Sequence, residues 1–92
     1  MPLPIYRLCD QLSITDVDDE MVVLKLDTGM YYGLNHIGAL LVKGLQEERN
    51  MQRIILDVVE QYQADYQTIC EDMDTLVKQL LEQNLLEVVS ET

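Results

Sequence analysis

Three segments near the start of the chain alternate apolar and polar residues with the period of two that is typical of half-buried strands. They are residues 12–15, 21–26 and 30–34. Residues 16–20 form a charged stretch that predicts a turn, and Asp27, Thr28 and Gly29 supply turn-forming residues before the third segment. The pattern therefore predicts a three-stranded antiparallel meander.

The alternation also predicts which side chains share a face of the sheet. In the second strand they are Val22, Leu24 and Leu26, which we expect to form the half-buried face. In the third strand Met30, Tyr32 and Leu34 share one face, and Tyr31 lies on the other.

From residue 36 the apolar residues recur every three or four positions, which predicts helices. We expect three, over about residues 36–45, 51–63 and 66–83. Asn35, Asn50 and Asp65 precede them as candidate N-caps, and Asn84 is a candidate left-handed residue after the third. The predicted apolar stripe of the third helix consists of Ile69, Met73, Leu76, Val77 and Leu80.

The two ends of the chain give weaker signals. Pro2 and Pro4 predict an irregular lead-in over residues 1–10. Residues 85–89 are expected to leave the third helix as a short extended tail. Residues 1–92 are thus interpreted as a single α+β domain, winged helix-turn-helix-like, with a three-stranded antiparallel sheet followed by three helices.

The third predicted strand, residues 30–34, has no later partner in this pattern. It should lie at a sheet edge with unpaired N–H and C=O groups. An extended peptide could pair with that edge and pack its side chains against the third helix. Leu34, Leu76 and Leu80 could equally be ordinary core residues, whereas Tyr31 is the residue most expected to face a ligand.

Charge changes the functional picture. Seventeen acidic and six basic residues give a net charge of −11, which is unfavourable for contact with phosphate backbones. The third helix carries Glu71, Asp72, Asp74 and Glu82 against a single Lys78, so the DNA-binding use of a winged helix is not expected. The acidic surface either attracts a basic peptide or serves solubility alone.

The sequence gives no support for catalysis, a cofactor or a metal site. His36 is the only histidine and is expected to be an ordinary surface residue. Residues 16–20 resemble the start of a calcium loop, but Met21 replaces the required glycine. Cys9 and Cys70 are expected to be free thiols. No apolar run is long enough for a membrane span and no secretory signal is apparent, so we expect a cytoplasmic protein.

Two parts of the sequence form a combined pattern. The first is Leu24-x-Leu26-Asp27-x-Gly29-x-Tyr31-Tyr32-x-Leu34-Asn35-x-x-Gly38. The second is Asp72-Met73-x-x-Leu76-Val77-x-x-Leu80, followed by Leu85-Leu86. Together they resemble the PqqD-like family, the recognition elements of pathways that modify ribosomally made peptides. The likeness covers about residues 12–89, and the hairpin looks most like the stand-alone leader-binding proteins of lasso peptide pathways.

The resemblance implies a leader peptide that pairs with the third strand and packs on the third helix. Carried over by position, the peptide-binding residues would be Met30, Tyr31, Tyr32, Gly33, Leu34, Ile69, Asp72, Met73, Leu76, Val77 and Leu80. The implied partners are the precursor leader, a separate transglutaminase-like cysteine-protease subunit and a macrocyclising ligase. The chain departs from the family pattern at Val42, where relatives often have Trp, and at Asn84, where they often have Gly.

Three alternatives remain at this stage. The chain could be a PqqD-type peptide chaperone for a radical SAM enzyme, in which case the partner enzyme differs. It could be a winged-helix regulator that binds another protein. The exposed edge could also support a homodimer.

Overall fold

Three antiparallel strands and the three helices that follow them form the main body of the protein. The computed structural model describes residues 5–18 and 20–90. The elements are β1 (Ile5–Leu8), β2 (Leu12–Val17), β3 (Glu20–Lys25), β4 (Tyr31–Leu34), α1 (His36–Gln46), α2 (Met51–Tyr62), α3 (Tyr66–Glu82) and β5 (Leu86–Ser90). The sheet order β2-β3-β4 and the helices confirm the predicted fold class.

The predicted irregular lead-in is wrong for the described residues, whereas the tail is extended as predicted but forms a paired strand. β1 and β5 pair with each other as an antiparallel two-stranded sheet. Arg7 lies opposite Glu87 and forms an ion pair with it. This pairing joins residues about eighty positions apart, so neither segment gave a strand signal on its own. Pro2 and Pro4, on which the prediction rested, lie outside the described residues.

The predicted turn at residues 16–20 is also shorter than expected. β2 extends to Val17 and β3 begins at Glu20, because cross-strand pairing outweighs the low strand propensity of the acidic residues. Asp19 lies outside the described residues.

The core-facing side of β3 differs from the predicted one. Met21 and Val23 are each only 1% exposed, whereas Leu26 lies in the hairpin turn and is 57% exposed. β3 carries apolar residues on both faces. The alternation therefore predicted a strand correctly but could not show which of its two faces is buried. In β4 the prediction is confirmed: Leu34 is buried, and Tyr31, on the other face, is 70% exposed.

All three predicted N-caps are confirmed. Asn35, Asn50 and Asp65 accept a hydrogen bond from the backbone N–H three residues later, at 3.0, 2.8 and 3.1 Å. These bonds satisfy donors that a helix start leaves unpaired. The cap at Asn35 fixes the start of α1 directly after β4.

Glycines allow α1 to pack closely on its neighbours. A Cβ atom on Gly38 would lie 3.1 Å from Cβ of Leu34, so α1 approaches β4 closely. A Cβ on Gly44 would lie only 2.5 Å from Cγ1 of Ile54 in α2.

Cys9 and Cys70 are free thiols, as predicted. Among the helices of the described chain, none has the length and apolar character to cross a membrane.

Candidate functional site

The outer edge of β4 has no partner strand among the described residues, because β4 is the last strand of the order β2-β3-β4. The backbone N–H of Lys25 donates to the carbonyl of Met30 at 2.9 Å. Hydrogen-bonded pairs alternate along an antiparallel ladder, so Tyr32 and Leu34 bond to β3 in the same way. The N–H and C=O groups of Tyr31 and Gly33 therefore point away from the sheet.

A groove of about 340 Å³ runs beside this free edge. It lies between β4 and α3. β4 packs on β3 and α1, whereas α3 packs on α2 and β5, so the two walls of the groove are not packed closely against each other. Its lining residues are Tyr31, Tyr32, Gly33, Leu34, Asn35, Leu76, Gln79, Leu80 and Gln83.

The C-terminal end of α3 is held by a Schellman motif. Asn84 has the predicted left-handed conformation, with φ of 59°. Its N–H donates to Leu81 O at 3.1 Å, and the N–H of Leu85 donates to Leu80 O at 2.9 Å. Nζ of Lys25 donates to Asn84 O at 3.2 Å and so ties the β3–β4 hairpin to this end of α3. These bonds set the spacing of the two groove walls.

The structure divides the predicted site residues into three groups. Tyr31, Tyr32, Gly33, Leu34, Leu76 and Leu80 line the groove. Met30 and Asp72 are exposed and lie outside the lining, Met30 directly before β4 and Asp72 one helical turn before Leu76. Ile69, Met73 and Val77 are buried in the core on α3, where they support its position.

Three amide side chains in the lining were missed by sequence reasoning. Gln79 and Gln83 lie three and seven residues after Leu76, which places them on the same helical face. That spacing was visible in the sequence, but the prediction followed only the apolar stripe. Asn35 was recognised as a cap and not as a residue of the groove.

The groove is uncharged although the protein is strongly acidic. Its polar lining consists of amide and phenol groups. All six basic residues form ion pairs with acidic side chains elsewhere on the described surface. A ligand in the groove would therefore meet hydrogen-bonding and apolar contacts, with acidic side chains such as Asp72 beyond its lining.

Among the described residues, three groups outside the groove lining have clear pKa shifts. Burial raises the pKa of the Cys9 thiol. A hydrogen bond with Cys70 raises the pKa of Tyr66, and the hydrogen bond with Glu87 raises the pKa of Arg7. We assign none of them a role at the β4 edge.

A second cavity, of about 460 Å³, lies between α1 and α2. Both arginines of its lining form ion pairs with Asp57: Arg49 contacts it at 2.7 Å, and Arg53 contacts it at 3.2 Å. His36, which was expected to be an ordinary surface residue, joins α1 to α2 through its Nδ1, 2.6 Å from the Tyr62 hydroxyl. Although this cavity is larger, it lacks the free backbone groups that β4 offers, so we favour the groove.

Comparison with known proteins agrees with this geometry. Residues 20–86 match the family model for coenzyme PQQ synthesis protein D (PqqD). The chain therefore belongs to the PqqD family, as the sequence resemblance predicted. A PqqA binding protein of Rhizobium meliloti (strain 1021) is 36% identical over 56 residues, which are 61% of this chain and 57% of the length of that relative.

Two solved structures are similar over nearly their whole length. TbiB1 in complex with the TbiA(beta) leader peptide has a TM-score of 0.83 at 30% identity, covering 88% of this chain and 94% of that one. A lasso peptide synthetase B1 complexed with the leader peptide has a TM-score of 0.81 at 25% identity, covering 90% and 98%. Both of those proteins hold a leader peptide.

Proposed function

We propose that this protein is a non-catalytic adaptor that binds the leader peptide of a ribosomally made precursor as a fourth strand beside β4. The observation that carries the proposal is the pair of outward-pointing backbone positions, Tyr31 and Gly33, directly beside the groove. The two similar structures that hold leader peptides support the same use. Strand addition supplies backbone hydrogen bonds for affinity and side-chain pockets for specificity.

A peptide paired with β4 would direct alternate side chains to the two faces of the extended sheet. Those on the inner face would enter the groove and contact Leu76, with Gln79 and Gln83 as hydrogen-bonding partners. Leu80 is only 1% exposed and forms the floor of the groove as part of the core. Two or three apolar anchors at about 1.5–3 kcal/mol each are sufficient for micromolar binding after the cost of ordering the peptide. Asp72 and Met30 would contact residues of the peptide beyond the groove.

The charge distribution favours a leader with net positive charge outside its groove-binding residues. The groove is uncharged, whereas the protein as a whole carries −11. Long-range attraction would therefore speed association with a basic peptide, and added salt would slow it.

After binding, the adaptor would present the precursor to its processing enzymes in the cytoplasm. For a lasso peptide pathway these are a separate cysteine-protease subunit and a macrocyclising ligase. A homodimer is less favoured, because two copies with charge −11 repel each other.

The PqqA binding relative supports a second candidate, a peptide chaperone for a radical SAM enzyme. That match spans 57% of the relative, whereas the lasso-type structures match over 94% and 98% of their length. We therefore rank the lasso-type adaptor first. A competition titration between a lasso precursor leader and a PqqA peptide separates the two candidates.

An NMR titration of ¹⁵N-labelled protein with the synthetic leader tests the proposal. We expect the amide shifts to concentrate in β4 and in residues 76–83 of α3. A peptide of the same composition in scrambled order is the control and should leave the spectrum unchanged. Shifts concentrated around Arg49 and Arg53, at the second cavity, would contradict the proposed site.

A further inference from the structure

The face of the main sheet opposite to the core carries an apolar surface. The strand register places Leu24 between Ser13 and Tyr31, and Val22 beside Gly33. Val17 and Tyr31 are 50% and 70% exposed. A Cβ atom on Gly33 would meet nothing within 4 Å, which shows that this side of β4 is open. We call Val17, Val22, Leu24 and Tyr31 the outer sheet face.

The helices do not cover this face. They pack on the opposite side of the sheet, where Met21, Val23 and Leu34 are buried. Val17 and Tyr31 are exposed, and Val22 and Leu24 are half-buried. An apolar sheet face with an exposed aromatic residue at its edge is typical of protein interaction surfaces.

Acidic side chains lie at one end of the outer sheet face. Glu20 pairs with Val17 in the ladder and so shares its face, and Asp18 follows in the turn. Neither forms an ion pair within the described residues, where every basic side chain is already paired with an acid. The complementary partner therefore has an apolar centre and basic residues at its edge. A second copy of this acidic chain and a nucleic acid both lack that charge.

We propose that the outer sheet face docks the cysteine-protease subunit that receives the precursor, through an apolar surface of that subunit with a basic edge. This inference rests on the proposed function, because the leader strand would extend the same sheet. Its outward side chains would lie beside Tyr31 and Gly33 and would enlarge the outer sheet face. The groove and the docked enzyme would then meet at the β4 edge, where Tyr31 belongs to both surfaces, and leader binding would strengthen enzyme binding.

Direct binding of the cysteine-protease subunit of the same pathway, measured by biolayer interferometry with and without saturating leader, tests this proposal. We expect Leu24→Lys and Val17→Lys each to weaken protease binding at least tenfold. Labelled leader should bind both variants within twofold of wild type, because neither residue lines the groove. Leu56→Lys is the matched control: it places the same charge at an exposed leucine of α2 and should change neither affinity.

The outcomes separate the two claims. Unchanged protease binding in Leu24→Lys and Val17→Lys, or no protease binding by wild type, would overturn this inference and leave leader binding intact. Failure of wild type to bind leader would overturn the proposed function, while the protease measurement still decides the role of the face. A wild-type dimer that light scattering shows to dissociate in Leu24→Lys would assign the face to a second copy instead. Circular dichroism melts identify any variant that unfolds, in which case the other lysine variant decides.

Discussion

Replacing Leu76 with alanine should weaken leader binding, because Leu76 forms part of the α3 wall of the groove. Leu76 is partly buried in the free protein, so a minority of its surface remains for the peptide to cover. Full burial of a leucine is worth about 1.5–3 kcal/mol, and the remaining part corresponds to about 0.5–1 kcal/mol. The peptide side chain that faces it loses a similar contact, which gives about 1–2 kcal/mol in total.

This free energy corresponds to a rise in Kd of about 5- to 30-fold. Fluorescence anisotropy with a labelled leader peptide measures it. Leu81→Ala is the matched control, since Leu81 is also partly buried on α3 but does not line the groove. Both variants should lose a similar stability of about 1–2 kcal/mol in urea denaturation, less than a fully buried leucine would lose. Equal leader affinity in Leu76→Ala and wild type, or equal weakening in Leu81→Ala, would refute the reasoning.

Three further predictions concern the scaffold. Gly44→Ala should destabilise the fold by about 1–3 kcal/mol in urea denaturation, because its Cβ would lie 2.5 Å from Ile54; an unchanged midpoint would show that α1 and α2 adjust freely. Glu48→Gly should stabilise it by about 0.5–1 kcal/mol, since Glu48 has φ of 60° after α1, and a lower midpoint would contradict this. Iodoacetamide at pH 8 should alkylate Cys9 more slowly in the folded protein than in urea. Burial raises the pKa of the Cys9 thiol and so reduces the fraction present as reactive thiolate. Equal alkylation rates in the two conditions would contradict this prediction.

The features that local sequence determines were predicted well. The hairpin, the caps at Asn35, Asn50 and Asp65, and the left-handed Asn84 all depend on residues within a few positions of one another. The free edge of β4 followed from the same local pattern.

The features that depend on distant contacts were not predicted. The pairing of β1 with β5 joins the two ends of the chain, and each segment is short. The buried side of β3 is decided by which face the helices cover. Lys25 shares that side by alternation, and its Nζ donates to Asn84 O at the end of α3. Ile69, Met73 and Val77 were carried over from the family resemblance as peptide-binding residues. In the structure they are buried in the core, and position in a motif does not distinguish a groove wall from the core behind it.

Hydrogen exchange of individual backbone amides, with and without leader peptide, tests strand addition at β4 most directly. In the free protein the N–H groups of Tyr31 and Gly33 point away from β3, and we expect their exchange to slow at least tenfold with bound leader. Ile14 is an internal control. The N–H of Leu26 donates to Gln11 O, and hydrogen-bonded pairs alternate from there along the β2–β3 register. The N–H of Ile14 therefore points away from β3, to the opposite edge of the sheet. Its exchange should not change. Leader binding with unchanged exchange at Tyr31 and Gly33, or with new protection at Ile14 instead, would contradict the account.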